Sequence, residues 1–334
     1  MNDAIQEVRQ VALDVLKPTK AQLEHGLELH ASSIVFESYG FSPHAAVDGD
    51  ALKAAIEAGA TDAELRDMRY EMQMTRQVTD PAEREEWKRA WEAAGVTCLF
   101  QHAGMAGQTV KRTLKWFAHY TCVTDRMRDF ITKAVTPDDI VEAKRQGRRC
   151  FYISLNGLPL TEEWNCVEEE LRFIRIFFQL GARQMHLAYN RRNMVADGCA
   201  EPSNGGLSDF GRAVIAEMNR VGVIPDVAHT GLQSCLDAAR CSTRPVVASH
   251  TACQALNAHC RCKTDEVIRA IADTGGYVGI CCIPAFLGGT GDLCAMLDHI
   301  DYVVKRFGAD HVAIGTDVAH ESRNAAAEQK KVPR

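Results

Sequence analysis

No apolar run in this 334-residue chain approaches the roughly 18–20 residues that a membrane-spanning helix requires, so a membrane is not an expected partner. A basic block is missing too. The 38 Lys and Arg stand against 44 Asp and Glu, for a net charge of -6. Nucleic acid, whose phosphates need clustered cations, is therefore not an expected partner either. The stretch from Met1 to Lys20 carries charges throughout and contains no apolar h-region. It does not read as a secretory signal, and the expectation is a cytoplasmic protein. No internal repeat and no low-complexity linker interrupts the sequence. That predicts one domain over residues 1–334, with a charged helical insertion at about 42–94.

Cysteine, by contrast, is abundant: 13 residues, an odd number at irregular spacing. No disulfide framework is implied, and in a reducing compartment the thiols stay free. Cys98, Cys281 and Cys282 lie in apolar runs and read as small buried hydrophobes. His259-Cys260-Arg261-Cys262 has the look of a metal knuckle, but the second half of a tetrahedral zinc site is missing.

Short runs rich in Val and Ile alternate with segments of helical period. Strand candidates lie near residues 34, 97, 152, 186, 225, 247, 279 and 313. Regular strand–helix alternation implies a parallel sheet. Eight strands suggest a closed (β/α)8 TIM-type barrel, with an open doubly wound sheet as the alternative. Only 17 residues follow Asp317, so the final barrel helix is expected to be short or missing.

Three runs end on ionisable groups. Gly222-Val-Ile-Pro-Asp-Val-Ala-His229 and Pro245-Val-Val-Ala-Ser-His250 each close on an imidazole, and His311-Val-Ala-Ile-Gly-Thr-Asp317 closes on a carboxylate. Strand carboxyl ends are where chemistry collects in parallel α/β folds. His229 and His250 are candidate metal ligands, their neutral imidazoles lying on consecutive strands. Asp317 is the candidate catalytic residue, able to ligate a metal or take a proton from water. Arg261, in the loop after the His250 strand, could fork onto a substrate carboxylate. Asn156 and Tyr189 follow two further strands and face the same mouth as candidate substrate-binding groups.

Gly206-Leu-Ser-Asp-Phe-Gly-Arg212, Glu217-Met-Asn-Arg-Val-Gly222, Asp226-Val-Ala-His229, Ser249-His250, His259-Cys-Arg261 and Gly-Thr-Asp317 follow one another in order. This succession resembles the membrane (renal) dipeptidase family, most closely over about residues 150–320; Leu29-His-Ala-Ser-Ser-Ile-Val35 looks like the family's opening. The resemblance implies a metal-dependent dipeptidase on an amidohydrolase-type barrel, with zinc bound at two neighbouring positions, and a homodimer. In that scheme His229 and His250 hold the second ion. Asp317 acts on the attacking water and the leaving amine. Arg261 holds the dipeptide's terminal carboxylate.

The chain departs from the family pattern where the first ion would sit. The family's His-x-Asp falls on Tyr39 and Phe41, its bridging glutamate on Asn156, and a substrate-contacting histidine on Tyr189. Two divalent ions a few ångströms apart repel strongly without an anion between them. The expectation is therefore one zinc ion rather than two, on His229 and His250, completed by water and Asp317. Glu37 and His44 lie near the altered strand end and could compensate. Three functions follow: a hydrolase of a dipeptide or small amide, a catalytically silent homologue that binds a small ligand, or a hydrolase of a non-peptide amide.

Overall fold

The computed structural model describes residues 3–103, 109–161 and 164–333. Eight parallel strands form the barrel: β1 (Phe36–Glu37), β2 (Cys98–Ala103), β3 (Arg149–Leu155), β4 (Ala182–His186), β5 (Ile224–Asp226), β6 (Ala248–Thr251), β7 (Val278–Ile280) and β8 (Val312–Ile314). Two parallel arcs, β1 to β5 and β6 to β8, make up the wall. One seam joins β5 to β6, where Val227 N donates to Val247 O at 2.8 Å and Val247 N to Pro225 O at 3.0 Å. The other joins β8 to β1 through Ser38 N and Ile314 O at 2.8 Å. The (β/α)8 expectation holds, and the open doubly wound sheet is set aside because both seams are bonded.

β1 lies about two residues further along than the sequence pattern suggested and pairs over only two positions, Phe36 with Cys98 and Glu37 with Leu99. Its end is clamped from β8. Glu37 Oε1 accepts from Thr316 N at 2.6 Å and Thr316 Oγ1 at 2.7 Å, and Asp317 N donates to Tyr39 O at 2.9 Å. Gly40, at φ +130°, sits inside this clamp, where an added Cβ would lie 2.2 Å from Thr316 Oγ1. Only glycine fits there.

The helices begin and stop on local chemistry. Thr264 caps Asp265–Asp273 by accepting from Val267 N at 3.3 Å, and Ser208 caps Asp209–Val221 through Gly211 N at 3.0 Å. Val267, Ile268 and Ile271 then face the barrel wall and are buried. Each such side chain removed from water contributes on the order of 1.5–3 kcal/mol. Gly181, at φ +115°, ends Val167–Leu180 in the left-handed conformation.

The segment after β1 carries the helices Gly49–Glu57, Asp62–Thr79 and Pro81–Ala94. It is anchored to the barrel mouth by Trp87 Nε1 donating to Pro43 O at 2.9 Å. A short parallel pair, Ser42–His44 with Ala319–Glu321, lies at that mouth, and Ile131–Lys133 flanks β3. After β8, the only helix among the described residues is the five-residue Ala325–Gln329. It packs on the Gly49–Glu57 helix, with Gly49 N donating to Glu328 Oε2 at 2.8 Å, rather than behind β8. No helix among the described residues is long and apolar enough to cross a membrane.

Candidate metal and substrate site

His229 follows β5 by three residues, and His250 lies within β6. Their Nε2 atoms face each other at 2.9 Å. Each ring is oriented from its far side: His229 Nδ1 lies 2.8 Å from Asn190 Oδ1, and His250 Nδ1 lies 2.8 Å from Ser249 Oγ. Because Asn190 Oδ1 can only accept, His229 carries its proton on Nδ1 and presents a lone pair at Nε2. Burial, and after it the Arg261 guanidinium, pushes both imidazole pKa values down, well below the usual range for His250. Both rings are therefore held neutral, the form that binds metal.

Asp226, the last residue of β5, ties this pair to the barrel. Its Oδ1 accepts from Ala228 N at 2.9 Å and Ser249 N at 3.1 Å, so one carboxylate fixes the backbone beside both histidines. Its Oδ2 meets His186 Nε2 at 2.7 Å and Gln184 Nε2 at 2.5 Å. Burial alone would raise its pKa, but His186 and the bonds from Ser249 outweigh this and hold it low. His186 belongs to this buried cluster although no sequence pattern marks it. It is the last residue of β4, wholly buried, with ring centroids 5.4 Å from His250 and 5.8 Å from His229, and its Nδ1 has no partner. In the sequence the apolar run goes on through Leu187 and Ala188, so His186 does not close its run as His229 closes its own.

The other candidates fall around a cavity of about 330 Å³ at the barrel mouth, bordered among others by Tyr39, His102, Asn156, Tyr189 and Asp317. Tyr39 stacks on His250 at 3.8 Å between centroids, and Tyr189 stacks on His229 at 4.0 Å. The two phenol rings stand between the cavity and the imidazoles. Asp317 adopts φ +58°, a strained conformation that Asp tolerates better than most residues. Burial raises its pKa, opposed by Arg261 and His186.

Arg261 is not at the cavity wall. It is 4% exposed and bonds inward, to Ala228 O, to His250 O at 3.2 Å and to His229 Nε2 at 3.3 Å. Phe41 turns away, packing edge-on to Trp91 at 5.5 Å. Glu37 is committed to Thr316, while His44 borders the cavity. At the knuckle, Cys262 Sγ donates to Phe286 O at 3.3 Å and His259 Nδ1 accepts from Arg261 N at 3.1 Å.

Donor chemistry decides which metal arrangement fits. Tetrahedral zinc with nitrogens at about 2.0–2.1 Å holds them about 3.3 Å apart, so the two Nε2 atoms, 2.9 Å apart, would have to part by a few tenths of an ångström to share one ion. With that small shift the oriented imidazoles suit one ion. A two-ion cluster does not fit. Among the described residues, the only set of three or more His, Cys, Asp or Glu ligand atoms within 4.8 Å of one another is Asp48, Asp50 and Glu328, away from the barrel mouth. Neither Asp317 nor His186 joins His229 and His250 within that reach.

The description of the membrane dipeptidase family (peptidase family M19) matches residues 50–329. The segment holding Tyr39 and Phe41 lies before that span. The chain is 30% identical over 194 residues to dipeptidase tcpJ of Claviceps purpurea, covering 57% of this chain and 44% of that protein. It is 28% identical over 213 residues to dipeptidase verJ of Clonostachys rogersoniana, covering 63% and 53%. The chain thus spans about half the length of the curated relatives it matches. Among solved structures, an amidohydrolase from Pseudomonas aeruginosa superposes with a TM-score of 0.66 at 26% identity, over 88% of this chain and 76% of that one. With the closed barrel, the strand-end imidazoles and a family match over most of its length, this chain belongs to the membrane dipeptidase family.

Proposed function

We propose that this protein is a dipeptidase-like hydrolase of a dipeptide or small amide, working with a single divalent ion, zinc by the chemistry of its donors, held by His229 and His250. The observation that carries the reading is the paired Nε2 atoms at 2.9 Å, each ring oriented by its own partner, behind a cavity bordered by Asp317. A zinc ion held there would polarise a carbonyl and lower the pKa of its water toward about 7. The protein's own groups divide the rest. Asp317 takes the proton of the attacking water and returns it to the leaving amine. Tyr189, 39% exposed, covers His229 and excludes bulk water from that side. Asp226 holds both histidine-bearing segments in register.

A second reading, a catalytically silent homologue that binds a small ligand, is favoured by one feature. Tyr39 and Arg261 occupy the space around the imidazoles, Tyr39 stacked on His250 and Arg261 directed at His229 Nε2. Incubating the purified protein with zinc and a panel of dipeptides and acyl amides separates the two. Hydrolysis lost on chelation and in Asp317→Ala supports the first. Ligand binding without turnover supports the second. The 13 free thiols suit a reducing, cytoplasmic setting. Homodimer assembly, by analogy with the family, is read by light scattering.

A further inference from the structure

Tyr39 stands where the family's first metal-binding histidine falls, and it borders the cavity at the barrel mouth. Its ring is 5% exposed and stacks on two imidazoles, 3.8 Å from His250 at an interplanar angle of 18° and 5.3 Å from His102 at 23°. Its backbone is fixed as well. Tyr39 O accepts from Asp317 N at 2.9 Å, so the phenol and the candidate base hang from bonded positions of the β8–β1 seam. The charges of Asp317 and Arg261 both reach the phenol. Among the described residues, its hydroxyl has no hydrogen-bond partner. Phenylalanine would stack on the two imidazoles equally well, so the packing does not call for the hydroxyl. A donor held without an acceptor in a poorly solvated place is open to a ligand's oxygen. With one ion rather than two, hydrolysis also lacks one of the centres that would steady a tetrahedral oxyanion.

We propose that Tyr39 is a catalytic residue whose hydroxyl donates a hydrogen bond to the oxyanion formed when water adds to the substrate's carbonyl. The inference rests on the hydrolase reading and deepens it. The water oxygen bonds to the carbonyl carbon, the π pair moves onto the carbonyl oxygen, and Asp317 takes the water's proton. Tyr39 keeps its own proton throughout, as a phenol with a pKa of about 10 in water does at neutral pH. When the pair returns, the C–N bond breaks and Asp317 hands the proton to the nitrogen, leaving a carboxylic acid and an amine. The hydrogen bond from Tyr39 strengthens as charge develops on the oxygen, so it favours the transition state over the bound substrate. Tyr189 also brings a phenol to the cavity, but at 39% exposure water competes for its hydroxyl.

Two ligands separate the oxyanion from the bound substrate. A phosphinate mimic of alanyl-alanine presents a tetrahedral anionic centre. Alanyl-alanine itself, held uncleaved in an Asp317→Asn background, presents a neutral carbonyl. Each is titrated by calorimetry at pH 7 into the zinc-saturated full-length protein, with Tyr39 intact and with Tyr39→Phe. The phosphinate is expected to lose about 10–100-fold in affinity, the scale of one hydrogen bond to a charged group, and the dipeptide no more than about fivefold. With Asp317 intact, Tyr39→Phe should lower kcat for the dipeptide and leave KM little changed. Zinc affinity and the unfolding midpoint should stay as in wild type, because the hydroxyl bonds nothing among the described residues. An unchanged phosphinate affinity, or an equal loss for both ligands, would overturn the proposal. So would a fall in zinc affinity, which would make Tyr39 a metal ligand, or a wild-type protein that does not bind the phosphinate at millimolar concentration. The same loss appearing in Tyr189→Phe instead would move the role to Tyr189. A phosphinate loss in Tyr39→Phe without turnover of any dipeptide by wild type would uphold the oxyanion contact and remove only the hydrolase reading.

Discussion

Glu37→Gln should make the protein more stable at neutral and alkaline pH. Glu37 is 5% exposed at the β8–β1 seam, and burial pushes its pKa from 4.5 up to about 7 despite the bonds from Thr316. An acid whose pKa rises on folding binds more protons in the folded state than in the unfolded one. Its contribution is therefore fully present below about pH 4.5 and is lost as pH climbs through about 7. The full shift corresponds to about 3 kcal/mol. Both Thr316 donors meet the same oxygen, Oε1, which the glutamine amide reproduces, so the seam keeps its bonds. Urea unfolding of both proteins from pH 4.5 to 8.5 gives the difference curve. The buried histidines titrate alike in both proteins and cancel. The variant should match wild type near pH 4.5 and exceed it by up to about 3 kcal/mol at pH 8.5, with an unchanged m-value. A flat difference, or a variant that loses stability as pH rises, would refute the reasoning.

Asp226→Ala should be severe, because it orphans His186, Gln184 and two backbone amides in a wholly buried place. A loss of about 3–5 kcal/mol in urea unfolding is expected, and adding His186→Leu should cost less than the sum of the two single changes. Asn190→Ala removes the acceptor that fixes the His229 tautomer. Zinc affinity should fall about 10–100-fold in a competition titration, and because Asn190 lies at φ +58°, alanine there should also cost about 1 kcal/mol of stability.

The barrel was legible because buried parallel strands write themselves as short Val- and Ile-rich runs between helices with caps. Thr264, Ser208 and Gly181 stand where those boundaries fall. β1 was harder to place because a two-residue strand with a glutamate in it has no periodicity to read, and its position depends on Thr316, nearly 280 residues away. The sequence marked Tyr39, Tyr189 and Asn156 as departures from the family, but not what they do. That the two tyrosines stack on the two imidazoles is a tertiary fact. So is the direction of Arg261: the expectation that it meets substrate followed from its position along the chain, while its guanidinium follows the nearest bare carbonyls. His186 was not legible because the apolar run continues past it through Leu187 and Ala188, so only the structure shows the strand ending there.

We propose that Tyr39, Phe41 and Asn156 leave only one half of a two-ion site able to hold metal. Elemental analysis of the protein after zinc saturation and gel filtration tests it most directly. One zinc per chain, lost in the double variant His229→Ala/His250→Ala, is the predicted result; two per chain would contradict it.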